Sequence, residues 1–150
     1  MKTRRSILQG AGIALAMFAT LPRVLLAAVW PDKAFSSAAA GQAMIDLLGT
    51  DQTIPTDQIF LKVPEIAENG AVVPVTINAS LENVESISIV VEKNPRPLAA
   101  TFEMIPGTLP EISCRIKMGE TSDVMAVVKT ADGVYSTSKQ VKVTIGGCGG

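Results

Sequence analysis

The chain of 150 residues contains no histidine and only two cysteines, Cys114 and Cys148. Histidine is the usual general base for a cysteine or serine nucleophile and the commonest ligand for zinc and other transition metals. Two cysteines far apart in the sequence do not form a metal-binding cluster. We therefore predict no catalytic residue, no metal site and no cofactor, so any enzymatic step that involves this chain must be performed by another protein.

Aromatic residues are also scarce, at 4% of the chain, and neither charge dominates, with 13 Lys and Arg against 14 Asp and Glu. The basic residues form no patch that is interleaved with aromatic side chains. Such patches are typical of proteins that bind nucleic acids. We expect no nucleic-acid partner.

Long apolar runs are missing as well, since the run over residues 7–21 is shorter than the ~20 residues that span a bilayer. A basic stretch with Arg4 and Arg5 precedes this run and small residues follow it at 27–28, which is the layout of an export signal. The arginine pair indicates the twin-arginine route, which exports folded proteins. We predict that residues 1–27 are a cleaved signal peptide and that the mature protein is periplasmic and has no membrane segment; a retained membrane anchor is the alternative.

Residues 28–57 are predicted to form an N-terminal segment with one short helix. Helix-forming residues are concentrated over 38–48, Ser36 or Ser37 can cap the start, and Gly49 ends the helix. Apolar residues at helical spacing predict a core-facing stripe of Ala40, Met44, Leu47 and Leu48.

From residue 58 the apolar pattern changes to a period of two. Short alternating segments separated by turn signals predict an all-β fold over 58–145, an antiparallel β-sandwich of about seven strands. Pro74 indicates a strand edge or a bulge, and the last strand is expected to end at Ile145. The predicted inward sets are Ile59, Leu61, Val63; Val73, Val75, Ile77, Ala79; Ile87, Ile89, Val91; Leu98, Ala100, Phe102, Met104; Ile112, Cys114, Ile116, Met118; Val124, Ala126, Val128; and Val141, Val143, Ile145.

The last five residues place a single thiol, Cys148, between two pairs of glycines, Gly146 and Gly147 before it and Gly149 and Gly150 after it. Glycine leaves the backbone free and gives no steric cover, whereas a structural cysteine is normally buried by packing. An unpaired thiol in an exported protein is prone to mixed disulfides and over-oxidation, so its presence here indicates a function. We predict a flexible carrier arm over 146–150 that presents Cys148 to other proteins; an unimportant chain end is the alternative.

The arm has a short reach, because from Ile145 to Cys148 an extended chain spans ~3.3–3.6 Å per residue, or roughly 10 Å. Glycine flanks are thin enough to follow the thiol into a narrow channel. Cys114 shares a predicted strand face with Ile112 and Ile116, which predicts a buried small apolar residue. A disulfide between the two cysteines is the alternative, and it would restrain the arm.

The terminal Gly-Gly-Cys-Gly-Gly and the twin-arginine signal resemble the SoxY family of sulfur carriers, and so do the stretches 64–75, 92–98 and 115–118. The resemblance covers essentially the whole chain. It implies an immunoglobulin-like sandwich, a heterodimer with a second small β-protein, SoxZ, and sulfur intermediates held covalently on Cys148. The internal stretches are interpreted as fold and partner interface, with Arg96 either docking a partner enzyme or solvated.

The resemblance also implies a cycle of partner enzymes around the carrier. A c-type cytochrome enzyme, SoxXA, couples thiosulfate oxidatively to Cys148, and a manganese-dependent hydrolase, SoxB, releases the sulfone as sulfate. In some organisms a sulfane dehydrogenase, SoxCD, oxidises the remaining sulfur. From the residues alone, a non-catalytic exported interaction module whose Cys148 forms an intermolecular disulfide remains the second hypothesis. The lack of a Cys-x-x-Cys pair argues against a thiol–disulfide oxidoreductase.

Overall fold

The computed structural model describes residues 29–145. The predicted signal peptide and the carrier arm over 146–150 lie outside the described residues. The chain separates into two compact units, residues 1–30 and 31–150, and the following description concerns the second unit as far as residue 145. Within the described range, no helix has the length and apolar character needed to cross a bilayer.

Within residues 29–145 two helices precede the strands, where the sequence predicts one: α1 (Asp32–Ser36) and α2 (Ala40–Leu48). The predicted end of α2 is confirmed, because Gly49 adopts the left-handed conformation at φ 82° and its N–H donates to the Ile45 carbonyl at 2.9 Å. The left-handed region is the one that favours glycine.

The predicted serine cap of α2 is wrong. The residue before α2 is Ala39, which makes no capping side-chain hydrogen bond. Ser36 and Ser37 instead donate their hydroxyls backwards to carbonyls of α1, the Oγ of Ser36 to Asp32 at 2.7 Å and the Oγ of Ser37 to Lys33 at 3.1 Å. A serine hydroxyl can bond to the carbonyls of a preceding helix as well as to the free N–H groups of a following helix start.

The helices cover the outer face of the larger sheet with their apolar residues. Met44 is buried there, and Ala40, Leu47 and Leu48 are partly buried against the same cluster, so the predicted stripe is confirmed. The buried members of this outer cluster are Ala34, Ala43, Met44, Val90, Leu98 and Val127.

The described part of the chain forms nine strands in two sheets and confirms the predicted all-β sandwich. The larger sheet has the order β1–β9–β8–β5–β6, with β3 also paired to β9, and the smaller sheet has the order β2–β4–β7. All pairs are antiparallel except those of β1 and β3 with β9. The strands are β1 (Ile54–Pro55), β2 (Ile59–Lys62), β3 (Ile66–Ala67), β4 (Val73–Ala79), β5 (Val84–Val91), β6 (Leu98–Glu103), β7 (Glu111–Ile116), β8 (Ser122–Thr130) and β9 (Val134–Val143).

The core lies between the two sheets and is built from most of the alternating residues that the sequence predicts. Side chains such as Val75, Ile77 and Ile89 are fully buried there. Ile145 is an exception, because β9 ends at Val143 and the Ile145 side chain is 65% exposed. Strands β1 and β3 were not predicted, because two residues contain no measurable alternation.

One of the predicted inward sets is wrong at Leu98, which that set places on the same face as Ala100. Ile89 pairs with Ala100 and Val90 pairs with Leu98, so Ala99 is an extra residue in β6. One inserted residue reverses the alternation on one side of a bulge. Leu98 therefore faces the helices with the outer cluster, while Ala99, Phe102 and Met104 pack against the core.

Pro74 lies in β4, the middle strand of the smaller sheet. Its neighbour β2 pairs with β4 only from Thr76 to Ala79, whereas β7 runs alongside as far as Val73. At Pro74 the sheet is thus two strands wide and open on one side. The predicted edge is correct for this part of the strand.

Candidate functional site at the root of the C-terminal arm

The predicted site residues, Cys148 and the glycines that flank it, lie outside the described residues. The last described residue is Ile145, which stands at one end of the sandwich. The structure therefore defines the surface from which the arm starts. This surface is called the arm root below, and it comprises residues 66–72, Met118, Thr144 and Ile145.

The chain is fixed to the arm root after β9 has ended. The predicted last strand extends to Ile145, but β9 ends at Val143, because β3, beside it, ends at Ala67 and the chain then turns away. Thr144 still donates its N–H to the Ala67 carbonyl at 3.1 Å, and the Ile145 carbonyl accepts the N–H of Gly70 at 2.8 Å. The arm thus starts from a residue that is held by the body of the protein.

Gly70 connects the arm to a second loop. It is buried, its N–H donates to Ile145, and its carbonyl accepts the N–H of Met118 at 2.7 Å. The turn that positions Gly70 is set by Asn69, whose Oδ1 accepts the N–H of Ala71 at 2.8 Å. This is the local hydrogen bond by which asparagine favours turns.

Asn94 ties two further loops together at the same end of the sandwich. Its Nδ2 donates to the Lys117 carbonyl at 2.8 Å, and its Oδ1 accepts the N–H of Gly119 at 3.0 Å. The loop between β5 and β6 is thereby joined to the loop between β7 and β8. Arg96, in the first of these loops, is exposed and makes no ion pair with the described residues.

The three internal stretches that carry the sequence resemblance meet around the arm root. Stretch 64–75 contains Gly70, stretch 92–98 contains Asn94, and stretch 115–118 contains Met118. These stretches are separated in the sequence but share one structural role, because together they hold the end of the sandwich from which the arm starts.

Thr121 contributes to the same end and was missed in the sequence. Its Oγ1 accepts the N–H of Val143, the last residue of β9, at 3.0 Å. Threonines that accept a hydrogen bond from a distant strand have no local pattern, so only the fold identifies this contact.

Apolar side chains surround the start of the arm. Ile66, Val72 and Ile145 are 57%, 52% and 65% exposed. The charged residues beside them, Glu68 and Lys117, are exposed and form no ion pair within the described chain. No group of three or more His, Cys, Asp or Glu residues in the range 29–145 could hold a metal ion.

Cys114 is not part of the arm root. It lies on β7 opposite Val75 and packs against the core, as predicted, but is only partly buried because β7 is an edge strand. Desolvation by this burial raises the pKa of the Cys114 thiol above its ordinary value. A thiol of this kind is mainly protonated near neutral pH and reacts slowly.

A groove of about 640 Å³ lies at the opposite end of the sandwich. Its lining includes Glu85 near the start of β5 and Glu103 at the end of β6, whereas the arm root lies beyond the other ends of these strands. This groove is therefore out of reach of the arm, whose extended length is roughly 10 Å.

The model of the family described as sulfur oxidation protein SoxY matches residues 44–148, a range that ends at Cys148. Among solved structures, the sulfur carrier protein SoxY from Chlorobium limicola f thiosulfatophilum is 38% identical, with a TM-score of 0.62, and the match covers 69% of this chain and 94% of that one.

A superoxide reductase (neelaredoxin) from Ignicoccus hospitalis is 16% identical with a TM-score of 0.52, and the match covers 59% of this chain and 81% of that one. This likeness shows a shared fold alone. No curated protein matches the sequence.

Proposed function

The chain belongs to the SoxY family of sulfur oxidation proteins and is a sulfur carrier, and from this we propose that it holds thiosulfate-derived intermediates covalently on Cys148 and presents them to partner enzymes in the periplasm. The observation that carries the proposal is the family match, which ends at Cys148. The thiol is the substrate attachment site, and the enzymes of the cycle supply the catalysis.

The anchored position of Ile145 supports a short, defined reach for the arm. Cys148 is three residues beyond Ile145, so the thiol can extend roughly 10 Å from the arm root. An enzyme whose active site receives Cys148 must therefore touch the arm root. The exposed side chains of Ile66, Val72 and Ile145 offer that enzyme an apolar contact next to the arm.

The proposed loading and hydrolysis steps at Cys148 balance in atoms and electrons. In the loading step the outer sulfur of thiosulfate bonds to the Cys148 sulfur, the thiol loses its proton, and two electrons pass to the c-type cytochrome enzyme SoxXA. Hydrolysis by SoxB then adds water across the terminal S–S bond. Sulfate leaves with a proton, and Cys148 keeps one additional sulfur as a persulfide.

The remaining partners follow from the same proposal. The mature chain forms a heterodimer with SoxZ, reaches the periplasm by the twin-arginine route, and in hosts that contain SoxCD has its bound sulfane oxidised before another hydrolysis. The absence of histidine from the whole sequence fits a carrier whose reactions are catalysed elsewhere.

Intact-mass analysis of the protein purified from thiosulfate-oxidising cells tests the proposal. We expect mass increases that correspond to bound thiosulfate or sulfane sulfur, and we expect Cys148→Ser to abolish them. Cys114→Ala is the matched control, because it removes the other thiol and should leave the adducts in place. An unmodified Cys148 during turnover, or adducts that persist in Cys148→Ser, would contradict the proposal.

A further inference from the structure

One side of the sandwich is open. On the other side, the edge strand β2 is linked to β9, where the Nζ of Lys139 lies 5.7 Å from the centre of the Phe60 ring. On the open side the sheets end in β6 and β7, and neither strand has a further paired strand among the described residues. The free backbone N–H and C=O groups of such an edge can pair with another chain.

The β7 edge lacks several of the features by which proteins usually protect an edge strand, although its outward residues Glu111 and Arg115 are charged. Over Glu111–Ile116 it contains no proline, its pairing with β4 has no bulge, and no charged residue points inwards. The core is also incompletely covered here, because the inward residues Ile112 and Cys114 are only partly buried. Both observations indicate that this edge is covered by another strand.

The charges on the outward residues of β7 indicate which strand would pair with this edge. Glu111, Ser113 and Arg115 are all exposed and share the face that points away from the core. When two copies of this strand pair antiparallel about Ser113, Glu111 of each copy lies opposite Arg115 of the other. Opposite charges in directly facing positions stabilise an antiparallel pair.

Neither charge forms an ion pair with the described residues. The one ion pair of the described residues joins Lys129 and Glu85, at 3.0 Å. Glu111 accepts only a long contact of 3.5 Å from the Nδ2 of Asn78. Both charged groups are therefore available to a second copy.

We propose that β7 is a self-association edge, at which a second copy of this chain pairs antiparallel about Ser113 and joins the two three-stranded sheets into one of six strands. The arrangement is two-fold symmetric, as in most homodimers. It places the arm roots of the two copies at opposite ends of the dimer, because antiparallel strands run in opposite directions. The dimer thus forms without Cys148 and differs from one held by a Cys148 disulfide.

Engineered cross-linking tests the register in the Cys148→Ser background, so that the carrier thiol cannot contribute. The two Ser113 residues face each other across the two-fold axis, with Cα atoms ~4.5–5.5 Å apart, which is within the range of a disulfide. We expect Ser113→Cys to form a covalent dimer rapidly on mild oxidation. Ser138→Cys, at an exposed position of β9, is the matched control and should stay monomeric on denaturing gels.

Charge reversal tests the pairing independently of any cysteine. Glu111→Arg and Arg115→Glu each replace both opposite-charge pairs by like-charge pairs, so each should raise the dimer dissociation constant about tenfold or more in sedimentation velocity. The double variant Glu111→Arg/Arg115→Glu restores the pairs and should return the constant towards that of the parent. Melting temperatures of the variants show that each remains folded.

The proposal is overturned by a parent chain that stays monomeric at its highest soluble concentration. It is also overturned by a dimer that Ser113→Cys does not cross-link faster than Ser138→Cys, or by a double variant that dimerises no better than the single ones. If the isolated chain is a monomer and a different β-protein protects the thiol of Ser113→Cys from alkylation, the edge belongs to that protein instead. None of these results depends on whether Cys148 carries sulfur.

Discussion

The two cysteines show how individual surroundings give one residue type two tasks. Cys114 packs against the core opposite Val75 and is partly withdrawn from water. Cys148 has only glycines for neighbours in the sequence. Burial disfavours the thiolate, which is the reactive form of cysteine, so the fold protects Cys114 from the chemistry that we propose for Cys148.

We expect the alkylation of Cys114 in the Cys148→Ser variant to increase with pH through a midpoint above ~8.5, the ordinary cysteine pKa. The cause is desolvation, which raises the pKa of this thiol. Mass spectrometry of the iodoacetamide adduct against time, at a series of pH values, gives the midpoint. A midpoint at or below the ordinary value contradicts the expectation.

The same shift has a consequence for stability. Because the folded-state pKa of Cys114 lies above the unfolded value, its contribution is present below the unfolded pKa and is lost as the pH rises through the folded pKa. Urea unfolding in alkaline buffers should therefore show a decline in stability that is smaller in Cys114→Ala. Comparing the parent chain with Cys114→Ala at each pH separates the effect of the Cys114 thiol on stability from that of other groups.

At the scale of elements, β9 organises the functional end of the molecule. It pairs with β8 along its length and with the short strands β1 and β3 on its other side. After Val143 the chain is held by single hydrogen bonds to the turn that follows β3. These isolated contacts end at Ile145, the residue directly before the glycines.

We expect Gly147→Val to reduce loading of Cys148 by the cytochrome enzyme without lowering the melting temperature. A branched side chain stiffens the backbone and adds width where the arm must follow the thiol into an active site, and position 147 lies beyond the sandwich predicted over 58–145. Intact-mass measurement of adducts after fixed times, together with thermal unfolding, checks both parts.

Two controls accompany this variant. Gly147→Ala adds less bulk and should have a smaller effect on loading, while Ser138→Val, at an exposed position on β9, should have none. Equal loading of Gly147→Val and the unaltered chain would show that the width of the arm does not matter.

For the whole molecule, stability comes from the apolar residues that the two sheets bury between them. Ile87 in β5 is fully buried, whereas Ile105, in the connection between β6 and β7, is 71% exposed. The arm root is attached to this core through Ala67 and Met118, and backbone hydrogen bonds among neighbouring loops hold it further. The sandwich is therefore the rigid support from which the arm acts.

We expect Ile87→Ala to lower the free energy of unfolding by ~2–5 kcal/mol, because it removes buried methyl groups and leaves a cavity. Ile105→Ala, the same substitution on the surface, should change it by no more than ~0.5 kcal/mol. Urea denaturation of both variants measures the difference. Similar losses for the two variants would show that the core is not located between the sheets.

Several elements were beyond sequence-based prediction for identifiable reasons. Alternation located the main strands and the inward faces of most of them, but it could not detect the bulge at Ala99 that turns Leu98 towards the helices. The serines before α2 were assigned to the wrong helix end, because a hydroxyl can serve either end. Strands of two residues carry no periodic signal.

The amino-acid sequence by itself determined the all-β class, the lack of a histidine-based reactive centre and the terminal thiol between glycines, because these depend on composition and short-range pattern. Only the tertiary structure decided where the arm starts and what holds it. Gly70, Met118, Asn94 and Thr121 are far apart in the chain, and hydrogen bonds bring them together at one end of the sandwich. Such contacts depend on how the sheets pack, so the open β7 edge and the anchored Ile145 became visible only in the folded molecule.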